Sequence, residues 1–291
     1  MPTISQDKHI FIFGLGYVGL HLAQSLHQAG WHITGTTRNP EKLSDYTDKG
    51  WTILPFEDGT PIPFLEDHLA KASHVITTIS ALVGHDPVLQ LHKKQLAAFD
   101  GWTGYVSATS IYPDQQDGFV DETTIPAPAT KRGHDRLAAE RQWQEITNAE
   151  IFRVAGIYGP HRSPFKALRE GGAKIIEKPG HFFNRIHQTD ITAIIMAAID
   201  TPRAGRIINL CDNEPAPQGD VIRYAASLIG VTPPTPIAFE DANLSPMART
   251  FYVSRRRLAS QIIGTELPIT LTYPTYREGL AAILAAESES V

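Results

Sequence analysis

Short apolar runs alternate with amphipathic stretches through the first half of the chain. Residues 10–13, 31–34, 51–54, 74–77, 104–107 and 151–154 are compact runs rich in β-branched and aromatic side chains, which predicts strands. Between them, residues 17–30, 40–49, 64–71, 87–99 and 129–147 carry apolar positions at helical spacing. Asn39-Pro40-Glu41 offers an N-cap, a first-turn proline and an early acid, while Gly30 and Gly50 fall where helices should stop. Strand and helix repeated in this order predict an α/β fold built on a parallel, doubly wound sheet.

The second half is less regular. Residues 191–199 follow Thr189 and Asp190 as a capped helix, 206–210 read as a strand, and 218–229 as a helix ended by the proline-rich stretch 231–236. Arg255-Arg256-Arg257 is expected to open a helix running to about residue 263. Neither an internal repeat nor a clean linker divides the chain, so a second lobe is expected to be built from insertions between the later sheet elements.

Composition narrows the function classes. With 291 residues, 42% of them hydrophobic, the chain can bury a large core. A net charge of −5 provides no broad basic field for nucleic acid or an anionic membrane, leaving small polar or anionic metabolites as better partners. The single cysteine, Cys211, excludes an internal disulfide and lies in an apolar run where a small core residue is expected. The polar segment 1–9 lacks a signal-type apolar region, and 191–199 is too short to cross a bilayer, so a cytoplasmic protein is expected. No histidines fall at metal-ligand spacing, and no metal is expected.

Gly14-Leu15-Gly16-Tyr17-Val18-Gly19 follows the first predicted strand and opens a helix with Leu20, Leu22, Ala23 and Leu26 on its apolar face. In that context the three glycines have separate tasks: a tight turn, close approach to a pyrophosphate, and close helix–sheet packing. The helix start at Tyr17 and Val18 would present free N–H groups to the anion. About 20 residues further on, an NAD site would place Asp or Glu against the ribose hydroxyls. Here Thr36, Thr37 and Arg38 stand instead. Hydroxyls and a guanidinium suit a 2′-phosphate, so NADP(H) is expected over NAD(H), with Thr37, Arg38 and, after the fourth strand, Thr78 as further cofactor-binding residues.

The glycine motif, the strand end Ser107-Ala108-Thr109-Ser110-Ile111-Tyr112, Val120-Asp121-Glu122, Leu137-Ala138-Ala139-Glu140, the run from Phe152 to Pro160 and Arg185-Ile186-His187-Gln188-Thr189-Asp190 occur in a telling order. Together they resemble the extended short-chain dehydrogenase/reductase group, which includes nucleotide-sugar epimerases and dehydratases. The likeness runs over roughly residues 9–285. It implies a Rossmann-type domain at 1–160 and a small C-terminal substrate-binding lobe at 161–291, with 188–211 returning to the Rossmann domain. Homodimerisation through the helices at 87–99 and 129–147 is a further implication.

Members of that group carry Ser or Thr four residues before the strand-end tyrosine and Tyr-x-x-x-Lys on the next helix. Counting along this chain puts Ala108, Arg132 and Arg136 at those positions. A guanidinium stays protonated to about pH 12 and cannot replace the phenol as acid/base. The closest resemblance is therefore to atypical members lacking Tyr-x-x-x-Lys.

Replacement groups are sought at the carboxyl end of the fifth strand, where Tyr112, Ser107 and Thr109 are the candidate catalytic residues, Tyr112 as the acid. Arg132 and Arg136, like charges at i and i+4 that disfavour each other by roughly 0.2–0.5 kcal/mol, would gain from an anionic substrate. The alternative pairs Arg136 with Glu140 on a solvated face. His161, after Tyr158-Gly159-Pro160, and His187 complete the substrate-binding candidates. Two functions follow: an NADP(H)-dependent oxidoreductase or sugar-nucleotide-modifying enzyme with non-standard acid/base groups, or a catalytically inactive NADP(H) sensor or scaffold.

Overall fold

The computed structural model describes residues 8–116 and 118–289. The chain begins β1 (His9–Phe13), α1 (Tyr17–Gln28), β2 (His32–Thr37), α2 (Ser44–Thr47), β3 (Thr52–Pro55), α3 (Leu65–Leu69), β4 (His74–Thr77), α4 (Pro87–Ala97) and β5 (Trp102–Ala108). It continues with β6 (Phe119–Val120), α5 (Lys131–Thr147), β7 (Glu150–Val154), β8 (Gly156–Tyr158), α6 (Phe165–Arg169), β9 (Ile175–Glu177), β10 (Arg185–His187), α7 (Gln188–Asp200) and β11 (Ile207–Leu210). Last come α8 (Gln218–Leu228), β12 (Pro236–Ala238), α9 (Pro246–Thr250), β13 (Arg257–Leu258) and α10 (Tyr276–Glu289).

Seven strands form the central sheet in the order β11-β7-β5-β4-β1-β2-β3. The pairs β1–β2, β2–β3, β1–β4 and β4–β5 are all parallel, which is the doubly wound α/β arrangement that the alternation predicts. The winding reverses between β1 and β4, and in such sheets ligands bind beyond the carboxyl ends of the strands at this reversal. The loops after β1 and β4 carry Gly14 and Thr78.

The described residues divide into two compact units. Unit 1 holds the chain up to Ala108, with Lys131–Arg153 and Thr192–Ile208; unit 2 holds Thr109–Thr130, Val154–Ile191 and the chain from Asn209. Phe11, Phe13, Val75, Leu96, Tyr105, Trp143 and Ile151 lie in the core of unit 1. In unit 2, Tyr158, Phe165, Ala225, Tyr276 and Leu280 form one core cluster, and Ile176, Tyr252, Phe183 and Phe239 belong to a second. Three two-stranded parallel ribbons, β8–β10, β9–β12 and β6–β13, also belong to unit 2.

Two elements depart from the sequence reading. Residues 40–49 form a 3-10 turn at Pro40–Leu43 followed by the single turn of α2, with no cap bond from Asn39 and no buried side chain to anchor a longer helix. Residues 255–263 are not helical. The Arg257 N–H donates to Gly118 O at 3.0 Å and the Ala259 N–H to Val120 O at 3.0 Å, so ladder bonds to β6 override the local helical spacing. No helix among the described residues is long and apolar enough to cross a membrane.

Candidate functional site

The wholly buried side chains from Ile10 to Phe13 fix β1 in the sheet and deliver the glycine loop at its carboxyl end. Gly14 adopts φ +94°, a left-handed conformation that favours glycine. Its N–H donates to Thr36 Oγ1 at 2.9 Å, and its carbonyl accepts the Thr78 hydroxyl at 2.7 Å. The Leu15 N–H donates to Thr36 O at 2.6 Å. Thr36 and Thr78 are therefore anchors of the loop. Thr78 was expected among the cofactor ligands, but its hydroxyl donates to the loop carbonyl.

The other two glycines divide packing from access. A Cβ on Gly19 would lie 2.0 Å from Gly14 O, so nothing larger fits. A Cβ on Gly16 would meet nothing within 4 Å, leaving open space beside the loop. Gly16 is also the N-cap of α1, which has no side-chain cap and no acid in its first turn. An uncapped helix start beside open space fits a pyrophosphate, and Tyr17 and Val18 occupy the first helical positions. At the end of β2, Thr37 Oγ1 accepts the Asn39 N–H at 3.3 Å. Arg38 is exposed and makes no ion pair among the described residues.

The expected catalytic set is placed differently. Ser107 is buried and its hydroxyl donates to Glu140 Oε2 at 2.8 Å. Glu140 is ion-paired with the buried Arg153, whose Nε donates to Glu140 Oε1 at 3.1 Å. Tyr112 has no exposed surface, and its hydroxyl donates to Asn209 Oδ1 at 2.7 Å. A phenol so enclosed is a packing group with a satisfied hydroxyl, which corrects its reading as the acid. Thr109, half-buried, opens a 3-10 turn and accepts the Tyr112 N–H on its carbonyl at 3.2 Å.

The arginine pair also separates. Arg136 is 5% exposed and donates through Nη1 to Val106 O at 3.0 Å, whereas Arg132, one turn earlier, is exposed. Arg136 thus ties α5 to β5 rather than meeting a ligand. Glu140, its expected partner on a solvated face, belongs instead to the buried pair with Arg153.

Within unit 2, His187 is buried, its Nδ1 accepts the Thr189 N–H at 3.2 Å, and its ring packs edge-on to Tyr273 and Tyr158 at 4.2 and 5.1 Å. Those contacts fix the ring between β8 and the segment that carries Tyr273. His161 is exposed at φ +61°. Cys211 is buried, and burial pushes its thiol well above its usual range, as suits a small core residue. Burial also pushes the Asp212 carboxyl up to about 7, and its Oδ2 has no partner among the described residues.

A cavity of about 760 Å³ in unit 1 is lined by Ser73, His74, Trp102 and Glu150. His74 and Trp102 begin β4 and β5, so this cavity is at the amino ends of the strands, opposite the glycine loop. Among the described residues no group of His, Cys, Asp and Glu suits a metal.

Residues 9–143 match a family described as the NAD binding domain of 6-phosphogluconate dehydrogenase. A conserved protein of unknown function from Silicibacter pomeroyi DSS is 40% identical, over 96% of this chain and 99% of its own, with a TM-score of 0.89. The chain belongs to that protein's family. Protein YeeZ of Escherichia coli (strain K12) is 29% identical over 239 residues, 78% of this chain and 86% of that protein. The UDP-glucuronic acid 4-epimerase from Bacillus cereus, solved in complex with NAD, shares the fold at 18% identity and a TM-score of 0.74, over 97% of this chain and 99% of its own. The chain therefore has a Rossmann-type, epimerase/dehydratase-like fold, in which residues 9–143 are similar to an NAD binding domain.

Proposed function

We propose that the protein binds NADP(H) in preference to NAD(H) and uses it as an oxidoreductase or sugar-nucleotide-modifying enzyme on a small, anionic molecule. The observation that carries the cofactor preference is the end of β2: Arg38 is exposed, Thr37 stands beside it, and no carboxylate occupies the position that would repel a 2′-phosphate. The open space at Gly16 and the uncapped start of α1 support the pyrophosphate seat. The epimerase/dehydratase-type neighbours support the reaction class. Hydride transfer resides in the nicotinamide itself, and the proton must come from a group other than Tyr112 or Ser107, both spent on internal hydrogen bonds. Those same two bonds favour a second reading, an NADP(H) sensor or scaffold without turnover.

Titration with NADPH and NADH, followed by nicotinamide fluorescence, tests the preference. NADPH should bind the more tightly, and Arg38→Gln should weaken NADPH about tenfold or more while leaving NADH unchanged. Equal affinities in both proteins would overturn it. Oxidation of bound NADPH by nucleotide sugars or oxo acids would decide for the enzyme, and tight binding with no oxidation for the sensor.

A further inference from the structure

Unit 2 contains a half-buried arginine, Arg256, that forms no ion pair among the described residues. Nε and Nη1 of Arg256 are shut off from solvent and have no hydrogen-bond partner among the described residues. Its backbone is held firmly. The Arg256 carbonyl accepts Asn184 Nδ2 at 3.1 Å, the Leu258 N–H donates to Asn184 Oδ1 at 2.7 Å, and the Arg255 N–H donates to Asp114 Oδ1 at 3.0 Å. A guanidinium on so fixed a segment is kept where it is by the fold.

The surroundings are basic. Arg255, Arg256 and Lys178 all act on the ring of His181, a side chain 3% exposed whose Nδ1 has no partner among the described residues. Lys178 Nζ donates to Tyr252 O at 2.6 Å, so it too is oriented. The carboxylate acting on Arg256 is Asp114. Its Oδ1 already accepts the amides of Arg255 and Gln116, and it forms no ion pair among the described residues. Arg255 and Arg256 share this one carboxylate, Lys178 acts with them on the His181 ring, and burial works against the charge on Arg256. Buried guanidinium N–H groups left idle are costly, and an oxyanion such as phosphate, presenting two oxygens to them, would satisfy both their hydrogen bonds and the charge. Arg257 also has an unpartnered Nε among the described residues, but its guanidinium stacks on the Phe182 ring at 4.0 Å.

We propose that unit 2 holds a phosphate-binding site centred on Arg256, with Arg255, Lys178 and His181 around it. The site takes free phosphate or the phosphate group of a small metabolite. It stands apart from the nicotinamide reading, which rests on residues of unit 1.

The test uses the full chain, with calorimetric titration of inorganic phosphate at fixed ionic strength and glycerol phosphate as a second probe. The wild type and Arg38→Gln should bind phosphate, and Arg256→Gln should bind it at least about tenfold more weakly. Tighter binding of the ester would identify a metabolite as the source; tighter inorganic phosphate would identify the free ion. No binding by the wild type, equal binding by Arg256→Gln, or loss only in Arg38→Gln would overturn the site. Should Arg256→Gln fail to fold, the His181 ring nitrogens of the wild type give the answer by NMR, since phosphate must shift them and unmoved signals would refute it. NADPH titration of the same samples keeps the proposals separate: phosphate bound without NADPH would sink the cofactor reading alone.

Discussion

In unit 1 the buried Arg153 and Arg206 each pair with a buried carboxylate, Glu140 and Glu150, whereas in unit 2 the half-buried Arg256, with Nε and Nη1 sealed from solvent, pairs with none among the described residues. The ion pairs within unit 2, such as Arg223–Glu177 and Arg277–Glu214, lie at its surface. The two buried pairs of unit 1 tie β7 to α5 and to the segment before β11. Both units keep buried polar atoms without a partner among the described residues, such as Trp51 Nε1 and His92 Nδ1 in unit 1 and Asp212 Oδ2, His181 Nδ1 and two nitrogens of Arg256 in unit 2. The contrast lies in the charged groups: a guest would meet the unpaired guanidinium N–H groups of Arg256 in unit 2 and backbone N–H groups at the start of α1 in unit 1.

Breaking a pair in unit 1 should have the largest effect. Glu140→Gln strands the Arg153 charge and removes the Ser107 acceptor, and should cost about 3–5 kcal/mol in denaturant unfolding. A loss below about 1 kcal/mol would mean that the pair does not hold α5 to the sheet.

Asp212 should behave in the opposite way. Its folded carboxyl is pushed up to about 7 by burial, while the unfolded chain releases that proton near pH 4. The folded state thus holds the extra proton between those values, and this group makes stability fall as pH rises from about 4 to about 7, then level off. Asp212→Asn should remove that slope and stabilise the protein at pH 8 by on the order of 3 kcal/mol. His74 acts with the reverse sign: burial pushes it down to about 4, so its contribution is present above about pH 6.5 and lost as pH falls towards 4. The Asp212 term is therefore read as the difference between variant and wild-type curves, and parallel curves would refute it.

The smallest effect belongs to the surface pairs. Arg223→Ala removes contacts to Glu177 and Asp220 at a half-exposed site and should change stability by less than about 1 kcal/mol, less still in high salt. A larger loss would show that surface charge matters to unit 2 as buried charge does to unit 1.

What could be read from sequence was local. β1, the glycine loop and α1 lie within twenty residues, and their apolar pattern and glycine spacing state the packing that the structure contains. The fate of Tyr112 was illegible because its partner, Asn209, lies 97 residues away. Ser107 and Arg153 were equally opaque, since both converge on Glu140 from separate strands. Arg136 misled for a related reason: a charge on a helix of polar composition reads as solvated, yet β5 supplies a carbonyl that takes it inside. Gly35 could have been noticed, because a glycine inside a strand signals close approach; a Cβ there would press on Leu15 of the cofactor loop at 2.7 Å. β13 carried no such mark, its partner strand β6 being only two residues long.

The empty space beside Gly16 has a bearing on how such a protein can change over generations. Gly14 and Gly19 are bound to the architecture, one by its backbone angle and the other by a neighbouring carbonyl, so altering either alters the fold. Gly16 has φ −86° and no neighbour to offend, and a side chain there would intrude only on whatever occupies the loop. One codon therefore separates inheritance of the scaffold from inheritance of its ligand, and a lineage could lose the second in a single step while keeping the first intact.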